Sequence, residues 1–466
     1  MASWTDSSLL LAIQSDLTTP TTPDANFGGN QIAANKFQAI LCDAPKVTFN
    51  TEVSELNLLT GQIGAAPEKV VGRRSGSVSF VVPLQAFKSG YDPTAEDPGE
   101  APVSGAEVIP PWLVLVANAL GCDIEGLAGA TLEDKNTNFW RGTFLSVSDY
   151  GAAAVVAAGT NANNIEVANG ALHAGGQFIS AATSATVAPG TGFIKTKNAN
   201  VMTTFDPIKA PLANFDDDNA NIYGTATAWT TSDQPRPLTA IWTGNDTTMA
   251  YVLTGLVCES FKLSLEPGMT PTVEFTFKFY DFQMDKTLGG LTIPNSYARV
   301  PALVGTKTSV AYLDSAVKCG LQGLSIEWKA TVQETMCHSA AQGVSAVSIV
   351  KPRVSVNCTI PHDSTDTVYS EAGVGGNIGS HKWQSSLELG TTHSLGVYVG
   401  AAVGKCFGVL MPAGYVSAAP TIAEANGVQT YTVAFEAAAY SADSSTAGGD
   451  LPANCPIDSI FRVALG

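Results

Sequence analysis

Five histidines and eight cysteines are the residues of this chain best suited to catalysis or metal binding. Cys337 and His338 are adjacent, a thiol nucleophile beside a base. In a strand, however, neighbouring side chains point to opposite faces, so the two would not meet. His381 and His393 are not at metal-ligand spacing, and no cysteine belongs to a C-x-x-C pair. Asp216-Asp217-Asp218 resembles a fragment of a calcium loop but lacks the glycine and the distal glutamate, which predicts a solvated turn. The glycine-rich run GVGGNIG at 373–379 would cradle phosphate only between a strand and a helix, with Lys-Ser or Lys-Thr following. It reads instead as a flexible loop. No nucleophile elbow, HExxH, P-loop or dinucleotide fingerprint is present in the required context. The expectation is no catalytic residue, no metal, no cofactor and no enzyme.

Composition narrows the class. The chain has 466 residues, long enough for about two to four domains with ample core. It is 45% hydrophobic but only 14% charged, and rich in Gly, Ala, Ser, Thr and Val, as turn-rich all-β proteins are. A formal net charge of −17 argues against tight nucleic-acid binding, which needs Lys and Arg presented to phosphate. No apolar run is long enough for a membrane-spanning helix. The start, MASWTDSSLLLAIQSDL, has no basic residue before its short apolar run, unlike a secretion signal. Free thiols in a reducing cytoplasm are therefore expected.

The elements follow from periodicity. Residues 1–35 read as an extended arm with a helical turn near Leu9–Ile13. A strand at Lys46–Asn50 and another at 70–83 flank a long tip, 51–69. IPPWLVLVANALGCD predicts a helix, with Pro110 and Pro111 at its start and Gly121 at its end. Residues 125–222 read as an insertion with short strands near Phe139–Val147, Gln177–Ile179 and Phe193–Lys197. Val273, Phe275, Phe277 and Phe279 alternate strictly with polar residues, the clearest strand of all. After a linker at 285–301 the pattern restarts: a strand through Leu324, Ile326 and Trp328, a polar tip at 331–347, and a strand at 348–361. Strand signals follow in LELGTTHSLGVYVG, GKCFGVLMP, GVQTYTVAFEA and SIFRVAL. VVGRRSGSVSFVVP (70–83) aligns without a gap to SIVKPRVSVNCTIP (348–361), and Tyr431–Phe435 echoes Phe275–Phe279. The same element order thus occurs twice, with the helix and the insertion in the first copy.

Four segments carry a family resemblance: GRRSGSVSFVV followed by EVIPPWLVLVANALGC; LTGLVCESFKLSLEPGMTPTVEFTFKFYDF; GLSIEWKATVQET with VSIVKPRVSVNCTI; and VQTYTVAFEA with PIDSIFRVALG. With them the chain resembles the major tail tube proteins of long-tailed, siphovirus-type bacteriophages. Val350-Lys351 departs from the acidic-Arg pair usual in the family, and the insertion is unmatched. The resemblance implies an all-β, mainly antiparallel fold: two tandem β-sandwich or half-barrel tail-tube domains with a flanking helix, joining into a ring-wide β-barrel. The domains would be 36–290 (with the insertion at about 125–222) and 303–466, after the arm at 1–35. It implies trimeric rings with pseudo-sixfold symmetry, or hexameric rings as the alternative, stacked into a tube that conducts DNA from head to host. The implied partners are a tape measure protein, a tail terminator and baseplate or distal tail proteins, in a virion tail assembled in the bacterial cytoplasm. Polar members of the inner strands, Glu274, Thr276, Glu327, Ser77 and Ser355, would then face the lumen and let DNA pass without tight binding. Leu56, Leu58 and Leu59 at the first tip would serve ring stacking. The alternatives are another phage ring or decoration protein of baseplate or capsid, or a surface β-sandwich adhesin.

Overall fold

The computed structural model describes residues 8–13, 38–40, 42–56, 68–84, 112, 115–116, 119, 145–146, 153–158, 164–167, 178–180, 191–198, 201–204, 206, 214–215, 221–226, 237–243, 250–266, 269–286, 310–314, 316–317, 323–338, 343–361, 380–399, 407–425, 428–438 and 459–465. The fold is all-β, with every described strand pair antiparallel.

The first run comprises β1 (Ser8–Ile13), β2 (Gln38–Ile40), β3 (Lys46–Leu56) and β4 (Glu68–Pro83). The expected helical turn at Leu9–Ile13 is instead a strand. Leu9, Leu10 and Leu11 are buried, and β1 is paired on both sides, so sheet contacts override a weak local helical preference. Trp112, Leu115, Val116 and Ala119 are helical and buried, as the Pro-Trp segment predicts.

The insertion supplies β5 (Leu145–Ser146), β6 (Ala153–Ala158), β7 (Asn164–Val167), β8 (Phe178–Ser180), β9 (Thr191–Asn198), β10 (Val201–Thr204) and β11 (Asn214–Phe215), and β12 (Asn221–Ala226) crosses its end into the main sheet. Six of these form a separate sheet. Asp216-Asp217-Asp218 lies outside the described residues.

The main chain path returns in β13 (Leu238–Thr243), β14 (Ala250–Leu265), β15 (Thr272–Phe279) and β16 (Asp281–Lys286). β14 serves two sheets. Its first half pairs with β13 and β16, its second with β15.

The second run comprises β17 (Val310–Leu313), β18 (Ala316–Val317), β19 (Gly323–Met336), β20 (Val344–Pro361), the helix α1 (Ser380–Leu389), β21 (Thr392–Val399), β22 (Phe407–Val416), β23 (Thr421–Ala425), β24 (Val428–Ala437) and β25 (Ser459–Leu465). Two expectations change here. The tip at 331–347 is mostly ladder, because β19 and β20 stay paired out to Met336 and Val344. The outer residues of this arm are largely exposed, so their polarity imitates a loop. And the segment read as strand through Leu387–Leu389 is the end of a helix, closed by Gly390 at φ +63° in the left-handed conformation of a helix C-cap. Trp383 of α1 is buried edge-on against Phe435. The glycine run at 373–379 therefore precedes a helix after all, though it lies outside the described residues.

With α1 in place, the element order of the second run matches the first: hairpin, helix, strand, a strand (or strand pair) serving two sheets, final aromatic strand, closing strand. β3–β4–β15 corresponds to β19–β20–β24. Taking Val82 as equivalent to Ile360, the ladder puts Tyr431 in the place of Val273 and Val433 in that of Phe275. The pairing thus moves the apparent echo of Phe275–Phe279 by two residues.

The insertion docks on the second run. Phe193 packs on Tyr398, and the Tyr398 hydroxyl donates to Asp206 Oδ2 at 2.6 Å. A Cβ on Gly396 would lie 2.2 Å from that carboxylate oxygen, so a side chain there would push the insertion off β21. Burial lifts the Asp206 carboxyl to about 6, partly countered by the Tyr398 hydrogen bond. Raised above its unfolded value near 4, this group favours the folded state fully below about pH 4. That contribution is lost as pH rises through 6. Asp206→Asn should remove the pH dependence of stability between 4 and 6, of order 3 kcal/mol. Denaturant titrations across that window check it.

Candidate functional site: the polar face of the main sheet

One face of the β3–β4–β15–β14–β19–β20–β24 layer is core. Val78, Phe80, Phe275, Phe261, Trp328 and Val356 are each 3% exposed or less. Phe261 stacks on Trp328 with ring centroids 5.4 Å apart, directly across the β14–β19 ladder. Each such side chain contributes about 1.5–3 kcal/mol by leaving water. This ladder, Ser260–Leu265 against Leu324–Lys329, fuses the two runs into one sheet.

The opposite face is polar, and the period-two alternation puts all five expected lumen residues on it. They are organised in cross-strand rows. Val81, Glu274, Lys262, Glu327, Ser355 and Glu436 lie opposite one another in turn. The next row reads Lys46, Ser79, Thr276, Ser260, Lys329, Arg353. Ser77 lies in a third row, opposite Lys278. Sequence reasoning picked the acidic and small members and missed Lys262, Lys278, Lys329 and Arg353. The same alternation that identified Glu274 and Glu327 marks them equally well.

A polar cluster ties the runs beyond this face. Glu334 on β19 accepts from Arg73 Nη1 at 2.6 Å, Lys278 Nζ at 2.5 Å and the Tyr280 hydroxyl at 3.2 Å. The Arg73 guanidinium also lies over the Tyr280 ring, 5.1 Å from its centroid. The Arg73 hydrogen bond, with help from Lys278 and against desolvation, holds the Glu334 carboxyl down at about 2. Arg73 stood out in sequence only as the basic residue aligned with Lys351.

Leu56 is the last residue of β3, and Leu58 and Leu59 lie outside the described residues. The core reading of Cys258 and Cys358 holds: both are buried free thiols. Desolvation pushes Cys358 up to about 12 and Cys258 well above its ordinary value. Buried His393, absent from any motif, contacts Asp314 Oδ2 through Nδ1 at 2.8 Å and so ties β21 to the end of β17. Among the described residues no group of three His, Cys, Asp or Glu could hold a metal ion, and no helix is long and apolar enough to cross a membrane.

The phage tail tube protein family matches residues 4–437, nearly the whole chain. The chain belongs to that family. As a phage tail tube protein it is a structural component of the bacteriophage tail, of a family that self-assembles into the tube with other tail proteins. No curated protein matches the chain.

The cluster at Glu334 yields a prediction. Its carboxyl is depressed below the unfolded value, so its contribution is present above about pH 4.5 and lost as pH falls toward 2. Glu334→Gln should cost about 2 kcal/mol at neutral pH and flatten the acid limb of the stability profile. Urea melts at pH 7 and pH 3 compare the two proteins. An equal cost at both values would assign the loss to packing instead.

Proposed function

We propose that this tail tube protein forms trimeric rings with pseudo-sixfold symmetry, stacked into the conduit of a long, siphovirus-type tail. Each chain contributes two tandem tail-tube units, about 36–290 and 303–466, with β1 added to the first from the N-terminal segment. The observation that carries this reading is the repeated order of hairpin, helix and aromatic strand, with both copies hydrogen-bonded into one sheet through β14 and β19. Two equivalent units per chain make three chains sufficient for a sixfold wall.

The polar face of that sheet is the proposed lumen, with Glu274, Thr276, Glu327, Ser77 and Ser355 on it. Lys262 lies between Glu274 and Glu327 in the ladder, so the pair of carboxylates offsets its charge toward passing phosphate. Stacking between rings falls to the hairpin arms, where Leu56, Leu58 and Leu59 belong to the first and Met336, 68% exposed, ends a strand of the second. The tape measure, terminator and distal tail proteins would meet the tube at its bore and ends, during assembly in the host cytoplasm.

Electron microscopy of the purified chain tests the reading: rings and hollow tubes are expected, with threefold averages showing six similar lobes. Particles that remain monomeric at high concentration, with and without other tail components, would overturn it. Replacing Glu274 and Glu327 together with Lys should leave tubes intact. It should also create salt-sensitive DNA binding, with an affinity that falls steeply as salt rises. Unchanged DNA affinity in intact tubes would put this face on the outside.

A further inference from the structure

We propose that β3 and β23, the two outer strands of the main sheet, pair with each other between neighbouring copies of the chain, in the register that β14 and β19 use within it. This rests on the ring reading above and assigns its contact residue by residue.

Among the described residues, β3 pairs only with β4, and β23 only with β24. Both therefore present a row of backbone donors and acceptors that no other described strand takes up. The internal junction supplies the template. Val47 lies opposite Val78 as Ile326 lies opposite Val356, its counterpart, so Val47 corresponds to Ile326. Leu263 lies opposite Val273 as Ile422 lies opposite Tyr431, so Ile422 corresponds to Leu263. Inside the chain, Leu263 faces Ile326 and Lys262 faces Glu327. Between chains the same geometry sets Ile422 against Val47, Thr421 against Thr48 and Ala423 against Lys46.

Exposure supports the pairing independently. Leu263 and Ile326 are 0% and 1% exposed, whereas Ile422 is 55% exposed and Val47 is only half-buried. Phe49, in the place of fully buried Trp328, is likewise half-buried. Farther along the arm, Val53 is 48% exposed, and its counterpart Val332 packs against the core. Exposed Ile422 and half-buried Val47 and Phe49 occupy positions equivalent to Leu263, Ile326 and Trp328, which the internal junction buries. A strand of a second copy, already shaped as β19 is, fits there; the polar side sets Thr421 against Thr48 and Ala423 against Lys46, whose charge lies on the exposed polar face.

The test is disulfide trapping in assembled tubes. Directly opposed residues of an antiparallel pair have Cβ atoms about 4.5–5.5 Å apart, close to disulfide range. Val47→Cys with Ile422→Cys should give covalent dimers and trimers, the latter one closed ring, on non-reducing denaturing gels, lost on reduction. Neither single variant should do so. Val47→Cys with Ala423→Cys should not cross-link, because adjacent strand residues face opposite ways. A second variant, Ile422→Lys, should stay folded with an unchanged melting profile but fail to close rings. Tubes in which positions 47 and 422 do not join, or wild-type rings from Ile422→Lys, would overturn the register while leaving the tube intact. Cross-linking of either introduced thiol to a different tail protein instead of a second copy also counts against it. A chain that forms no rings at all fails the tail-tube reading and this one together.

Discussion

A backbone N–H or C=O at a sheet edge must find a partner, and this molecule is arranged around that requirement. Its longest strand pairings run through one layer, from β3 across β14 and β19 to β24. The layer holds because β14 is long enough to serve two sheets. A register shift between Cys258 and Ser260 in its pairing with β15 marks where it passes from one to the other. Before that point it pairs with β13 and β16; after it, Phe261 and Leu263 lie in the core that both runs share. The joint is dry on one side, with Phe261 against Trp328, and polar on the other, with Lys262 opposite Glu327. Each half thereby limits the exposed edge of the other, and among the described residues what remains is one edge at each end, β3 and β23.

Close packing at the rear of the first hairpin shows how little slack this permits. A Cβ on Gly76 would lie 2.1 Å from the Thr48 carbonyl oxygen and 2.3 Å from the Phe279 ring. Glycine there lets Phe279 cover the strand it pairs with. The ring then reaches Phe49 and Phe282, with centroids 6.0 Å away in each case. The same layer is fastened at its far side by Glu334, which reaches from one run to Arg73 and Lys278 of the other. Apolar stacking lines one side of the junction, and the ion cluster ties the second hairpin arm to the first run.

Alternation made the central strands legible in sequence. Val273, Phe275, Phe277 and Phe279 bury one face completely, and a one-residue slip would expose all four. Where burial is not one-sided the signal fails. Leu9–Leu11 is paired on both sides, and its continuous apolar run does not distinguish strand from helix. α1 has Trp383 as its main buried anchor, a pattern too sparse to announce a helix. The outer arm of the second hairpin buries only scattered side chains, Val344 and Ile349 among them, and its exposed polar residues make it look like a loop. The polar face was legible in position but not in charge, since attention to net charge selected the glutamates and passed over the lysines between them.

A net charge of −17 belongs to the whole chain, not to this surface. Here an acidic row, with Glu274, Glu327 and Glu436 around Lys262, adjoins a basic one, with Lys46, Lys329 and Arg353. Same-face rows are two residues apart, about 7 Å along the strand. That is shorter than the screening length of about 8 Å at physiological salt, so a phosphate near the wall feels both signs at once. Arg353 is drawn further toward the acidic row by Glu436, 3.7 Å away. A uniformly acidic bore would repel DNA and raise the cost of entry, while a basic one would hold it. Closely spaced rows of opposite sign do neither. On the lumen face proposed above, the relevant quantity is therefore the local cancellation between rows, not the acidity of the protein.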